Sequence, residues 1–281
     1  MVLVVRDSQA YAIADGVVAA ATSLELSVTV SSRSRCPFVE SDYLHASNKF
    51  CEARQDQVFD YALSARHTAV VIANRSSAHI NQQWEWGSLA TTPGGSQMSS
   101  NDETSESWTR AVAGNTKTLL DEGIAVVVVD PIPDINNRAN SGEGASVVRD
   151  QLHWYRPQPI QATRPQGKGA RQLPIRAERS VASVVPGVVS IDPTLILWDE
   201  ASCPKMQDGN NLYLDWGQLS RERALVLAPA IAKAINQAVQ HDRVSVPNAL
   251  TNAVSERCVK AIKSIHEFDD PGTSGMGLPR R

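Results

Sequence analysis

The stretch Val2-Leu-Val-Val-Arg-Asp-Ser-Gln-Ala-Tyr11 decides how this chain is read. Four apolar residues, Val2 to Val5, give way abruptly to the polar triplet Arg6-Asp7-Ser8. Ala- and Val-rich sequence with apolar residues at helical spacing follows, from about Ala10 to Ala21. A continuous apolar run is the mark of a strand buried on both faces, and a strand feeding a helix is the first unit of an α/β sheet. The polar turn between them falls at the carboxyl end of the strand, where open α/β sheets place their ligands. A serine there presents its hydroxyl beside the backbone N–H groups of a helix N-terminus, which suit an anion. Asp and Ser are equally the commonest helix caps, so this stretch by itself leaves Ser8 as either a cap or a nucleophile.

Working outward, the same alternation continues. Glu25 to Ser31 alternates apolar and polar residues as a second strand does, and Ser32 to Phe50 is irregular. Glu52 to Leu63 has helical spacing, and Thr68-Ala-Val-Val-Ile-Ala73 is a third strand. That strand ends in Asn74-Arg75-Ser76-Ser77, a second polar edge. Ile80 to Asp102, rich in Gly, Ser, Thr and Asn around Trp84 and Trp86, reads as a long loop, a kind of segment that is often a functional lid. The two tryptophans would stack on a sugar or pack the loop down. A helix is expected from Glu106 to Glu122, closed by Gly123. Ile124 to Asp130 is the clearest buried parallel strand, ended by Pro131-Ile-Pro-Asp134. Asn136 to Arg171, with His153-Trp154, has no clear pattern. Ala177 to Val185 reads as a helix and Val188 to Ile191 as a strand. The expected fold class is α/β, a three-layer α/β/α sandwich around a parallel sheet.

A chain of 281 residues can bury one sizeable α/β core. A net charge of −3 gives no basic balance for nucleic acid. No apolar stretch approaches the roughly 20 residues that span a bilayer, and the N-terminus lacks the charged segment of a signal peptide. The four cysteines, 36, 51, 203 and 258, match no zinc or Cys-x-x-Cys pattern. No metal or other cofactor is therefore expected. An even count suits two disulfides in an oxidising compartment, or four buried thiols.

Near the other end stands Tyr213-Leu-Asp215-Trp-Gly-Gln218-Leu-Ser220-Arg-Glu-Arg-Ala224, running into the apolar-periodic stretch Leu225 to Val239. The two ends together resemble the SGNH hydrolase superfamily. More narrowly, they resemble the SGNH domain fused to membrane O-acyltransferases of the acyltransferase-three family. There the first block usually reads Gly-Asp-Ser-His-Ala and the last Tyr-x-Asp-x-x-His-Leu-Ser. Here the first reads Arg6-Asp7-Ser8-Gln9-Ala10, and the last has Asp215 and then Gln218 in the histidine position.

The resemblance implies a nucleophile at Ser8, an orienting acid at Asp215 and, at Gln218, a residue that cannot act as a base. It implies an oxyanion donor at Asn74, with Arg75 matching the family's arginine; the residues alone also allow a turn Asn and a surface Arg. Arg6, standing for Gly, puts a long cation beside the nucleophile turn, where it would block the pocket or bind an anion. A replacement base would have to come from His45, His67, His79, His153, His241 or His266, none of which lies in the block. The resemblance also implies a Cys36–Cys51 disulfide, from Cys36-Pro37 and the cysteine downstream, which leaves Cys203 to pair with Cys258. The expected organisation is an SGNH-like domain over 1–246, a helical extension over 247–270 and a disordered tail over 271–281.

Three functions follow as expectations. In the first, the chain is an excised extracytoplasmic domain, tethered to the plasma membrane by its own acyltransferase domain. It would bind or present a cell-envelope glycan or glycolipid acceptor, O-acetylation being the usual reaction class. The second is a working esterase or acyltransferase using Ser8 with an unusual base. The third is a structural or partner-binding α/β module whose Ser8 is only a cap.

Overall fold

The computed structural model describes residues 1–44, 49–80, 100–132, 162–198, 202–203, 206–207, 210–213 and 218–241; residues 6, 49–50, 162–171, 202–203, 206–207 and 210–211 are described by backbone alone. All lie in the unit Met1–Asp242; the expected extension and tail, with Cys258, fall outside the described residues.

Five parallel strands form the central sheet: β1 (Val2–Arg6), β2 (Val28–Ser32), β3 (Ala69–Ile72), β4 (Ala125–Val129) and β6 (Val189–Ile191), in the order β2-β1-β3-β4-β6. A two-residue β5 (Ala162–Thr163) pairs with β7 (Ser202–Cys203) away from this sheet. Two further two-residue strands, β8 (Met206–Gln207) and β9 (Asn210–Asn211), pair with each other. The three inner strands are β1, β3 and β4, and every residue of Val2–Val5, Ala69–Ile72 and Ala125–Val129 is buried. This is why their sequences are continuous Val-rich runs rather than alternating ones.

Alternate residues of each strand serve opposite layers. Val2, Val4, Val71 and Val127 pack under helix α1 (Ser8–Ser23) and a helix over residues 228–241, α8, with Leu197 of the short α6 (Thr194–Leu197) in the same layer. Leu3, Val5, Val70 and Val126 pack under α2 (Lys49–Ser64) and the end of α4 (Asn101–Asp121). A satellite core around Trp108 joins α4 to α5 (Arg164–Val184). The three-layer α/β/α sandwich expected from the sequence is therefore the observed one. Among the described residues no helix is long and apolar enough to cross a membrane.

Local chemistry explains the boundaries. Asp7 caps α1, its Oδ1 accepting from Gln9 N at 2.8 Å. Gly16 lets α7 (Arg221–Leu225) cross α1 closely, because a Cβ there would stand 2.3 Å from the Ala224 carbonyl oxygen. Gly123, at φ 75°, ends α4 as expected, with Gly123 N bonded to Leu120 O and Ile124 N to Leu119 O. Two helices are longer than the sequence suggests. α4 starts at Asn101 because Ser100 Oγ accepts from Glu103 N, a polar cap that carries no apolar periodicity. α5 runs through Pro174, its carboxyl half held by packing of Ala177 and Val181 in the satellite core.

The expected Cys36–Cys51 disulfide is present, with its Cα atoms 5.2 Å apart. Closing a loop of that size stabilises by about 3 kcal/mol in the chain-entropy picture. Cys203 is described by backbone alone, so its pairing lies outside the described residues.

Candidate functional site

The parallel register brings the ends of β1 and β3 side by side. Val5 pairs with Ile72, so the segment Asp7-Ser8 leaves the sheet next to Asn74-Arg75. Asp7 locks the two together. Its buried carboxylate caps α1 through Oδ1, while Oδ2 accepts from the backbone N–H of Arg75 at 2.8 Å. Ser8 therefore opens helix α1 at the carboxyl edge of the sheet and is half-buried. Neighbouring strand ends are tied in as well. Ser32 Oγ donates to the Asp7 carbonyl at 2.8 Å, and Gln9 Nε2 donates to the Asp130 carbonyl at 3.3 Å.

Asn74 and Arg75 are both buried, so Arg75 is not a surface arginine. Asn74 Oδ1 accepts from Phe38 N at 2.9 Å; its Nδ2 has no hydrogen-bond partner among the described residues. Ser76 and Ser77, part of the polar strand end in the sequence, enter a short buried helix, α3 (Ser76–Ile80).

Gln218 is half-buried and follows a stretch, 214–217, outside the described residues. Asp215 is within that stretch, and the Arg6 side chain is likewise not described. What the structure places is the frame after Gln218. Leu219 bridges to Tyr213, Ser220 N bonds to Leu212 O, and Ser220 Oγ caps α7 by accepting from Arg223 N. Tyr213 and Leu219 belong to the same apolar layer as Ala10 and Ile13 of α1. Arg221 Nε stands 3.6 Å from Asp15 Oδ1 of α1. Tyr213, Leu219 and Arg221 thus lie on the α1 side of the sheet.

Three of the six histidines are described. His67 precedes β3 and is held by Ala62 O at 3.1 Å, and burial depresses its pKa. His241 packs at Gly187, before β6. Both stand at the amino ends of strands, away from Ser8. His79 alone among them is near the carboxyl edge. Its Nε2 is 3.7 Å from Asp7 Oδ2, and its ring stacks on Trp108 with centroids 5.4 Å apart.

Beneath the site lies a buried acidic layer that the sequence reading missed. Glu178 of α5 is fully buried, with Oε1 accepting from Trp108 Nε1 at 3.1 Å. Burial, reinforced by Asp130 and Asp7, holds its carboxyl well above the ordinary range. The signal was there in part: Glu178 sits in the buried stripe of α5 between Ala177 and Val181, a position where a charge is out of place.

Asp130, at the exit of β4, is also fully buried. It accepts from Arg179 Nε and from Ser190 Oγ, each at 3.1 Å, while Arg179 Nη2 reaches Asp192 Oδ2 at 2.6 Å. Burial raises its pKa from 3.8 to about 6, against the lowering effect of Arg179. A carboxyl with a raised folded pKa binds its proton more tightly when folded. The stability it supplies is complete below about pH 3.8 and is lost as pH rises through about 6. Asp130→Asn is neutral throughout, so its stability relative to wild type should rise by roughly 2–3 kcal/mol between pH 4 and pH 7. Urea unfolding at the two pH values measures this; parallel shifts would mean Asp130 carries no such linkage.

Among the described residues no cluster of three His, Cys, Asp or Glu side chains would hold a metal. The site presents a hydroxyl at a helix N-terminus and, at the neighbouring strand end, a carboxamide donor.

No curated protein matches the chain. Among solved structures, the periplasmic domain of the lipopolysaccharide acetyltransferase of Salmonella ser. Paratyphi A is similar at 15% identity and a TM-score of 0.53, over 84% of this chain and 83% of that one. At that identity the likeness is one of fold. Residues 1–233 match the model of the SGNH domain fused to AT3 domains, and the chain belongs to that family.

Proposed function

We propose that this domain works outside the cytoplasm as the acceptor-binding module of a membrane-bound O-acyltransferase, its own acyltransferase-three part lying in the membrane. The acceptor is a cell-envelope glycan or glycolipid, the transferred group most simply acetyl. The serine site itself does not turn over esters. The observation that carries this reading is Gln218 in the position where the family pattern has histidine. A serine hydroxyl needs a neighbouring base to take its proton, and an amide cannot accept and return one. Membership of the fused family, the neighbour's fold and a disulfide suited to an oxidising compartment support the setting.

One observation favours a second reading, an esterase with an unusual base. His79 lies beside Asp7, the residue before Ser8. Against it, His79 is buried and its ring is stacked on Trp108.

The test is hydrolysis of p-nitrophenyl acetate by the full chain, together with binding of acetylated and unacetylated envelope polysaccharide. Background hydrolysis and saturable binding weakened by Ser8→Trp are expected. A hydrolytic rate lost in both Ser8→Ala and His79→Gln would establish the second reading. Neither hydrolysis nor binding would leave a structural module.

A further inference from the structure

The Asn74 side chain is oriented by an identifiable bond. A backbone N–H can pair only with the carbonyl end of a carboxamide, so Phe38 N donating to Oδ1 decides which way round Asn74 lies. The amide end, Nδ2, is thereby committed as a donor. It is buried with no partner among the described residues, and leaving a buried donor unpaired is costly. An unpaired buried donor beside the Ser8 helix start is what a ligand oxygen would use.

Phe38 is held from both sides. Its ring is fully buried against Phe59 of α2, centroids 6.1 Å apart, in the layer containing Leu3 and Val5. Two residues earlier, Cys36 is covalently bonded to Cys51, also on α2. The segment carrying the Phe38 N–H is irregular chain, tied two residues further on to α4 by Glu40 N donating to Ala111 O at 2.9 Å.

We propose that the Cys36–Cys51 disulfide is a positioning device for the site. It holds the Phe38 N–H that orients Asn74, so that Nδ2 donates to an oxygen of the bound acyl or acceptor group. The inference rests on the proposed reading in taking the Ser8 edge as the ligand site. Opening the disulfide would loosen Asn74 while leaving the sheet intact.

The test follows amide hydrogen exchange and the side-chain NH2 signals of the 15N-labelled full chain, oxidised and after reduction by a phosphine. The Asn74 Nδ2 pair is assigned by its loss in Asn74→Asp. That variant keeps an oxygen for Phe38 and should leave the Phe38 amide protected. Asn74→Ala should speed its exchange on the order of tenfold or more. Reduction should speed Phe38 exchange similarly and shift the Asn74 pair, while the amides of β1 and β4 stay protected. Unchanged Phe38 and Asn74 signals on reduction would overturn the proposal. So would protection lost equally across β1 and β4, which would make the disulfide a staple of the whole fold. Should Cys36→Ala with Cys51→Ala fail to fold, reduction of the folded chain supplies the same readout. In a Gln218→His chain that hydrolyses esters, reduction should lower kcat, by up to about 10²–10³, with KM little changed. An inactive Gln218→His chain counts against the catalytic reading of the site; the exchange data decide the positioning separately.

Discussion

Gln218→His should turn a chain with background esterase activity into one with a measurable, Ser8-dependent rate. Imidazole titrates near neutral pH, so it can take the serine proton during attack and return it to the leaving group. In a well-studied serine hydrolase, loss of the base costs on the order of 10⁶ in turnover. If the base is all that is missing, restoring it recovers several of those orders. Two other residues set how many. Asp215 must orient the new ring, and Arg6, where the family pattern has Gly, must leave room for substrate. Arg6→Gly with Gln218→His is the variant expected to show the full gain. Initial rates on p-nitrophenyl acetate, with and without Ser8→Ala, measure it. The rate should rise with pH as the imidazole loses its proton. A gain that survives Ser8→Ala would come from the histidine alone and would remove Ser8 as nucleophile.

The largest stability effect is expected at Trp108. Its side chain is wholly buried, its ring stacks on His79, and its Nε1 donates to a carboxyl with no exposure at all. Trp108→Ala should cost about 4 kcal/mol, from the cavity and from leaving Glu178 without its donor. Trp108→Phe keeps much of the volume and should cost less, about 1–2 kcal/mol, chiefly the lost hydrogen bond. Glu178→Gln should cost far less than Trp108→Ala, because it keeps an oxygen that can accept from Trp108 Nε1 and removes a carboxyl whose charged form burial disfavours. Urea unfolding of the three variants checks the order. A Glu178→Gln variant as damaged as Trp108→Ala would show that Glu178 is charged in the folded protein.

The strands were readable because burial on both faces imposes a composition that needs no partner to recognise. Val2–Val5, Ala69–Ile72 and Ala125–Val129 are apolar throughout, and each gives way to polar residues where the sheet ends. The polar ends also marked the edge where chemistry belongs. The Cys36–Cys51 pairing came from family resemblance, since spacing by itself left four free thiols open.

By itself, then, the sequence determined the α/β class, the inner strands, the edge carrying Ser8 and the amide at position 218. Tertiary structure alone decided which polar groups meet. Asp7 reaches the N–H of Arg75 across 68 residues, and Trp108 reaches Glu178 across 70. Nothing local in either segment specifies such a bond. It exists because parallel strands set their carboxyl ends side by side, and because a buried polar group must find a partner wherever the fold brings one. For the same reason Arg75 and Asn74, which the residues alone also allow as a turn Asn and a surface Arg, are interior residues. The orientation of Asn74 is set by Phe38, 36 positions away and within the disulfide-tied loop, a relation visible only once the chain has folded.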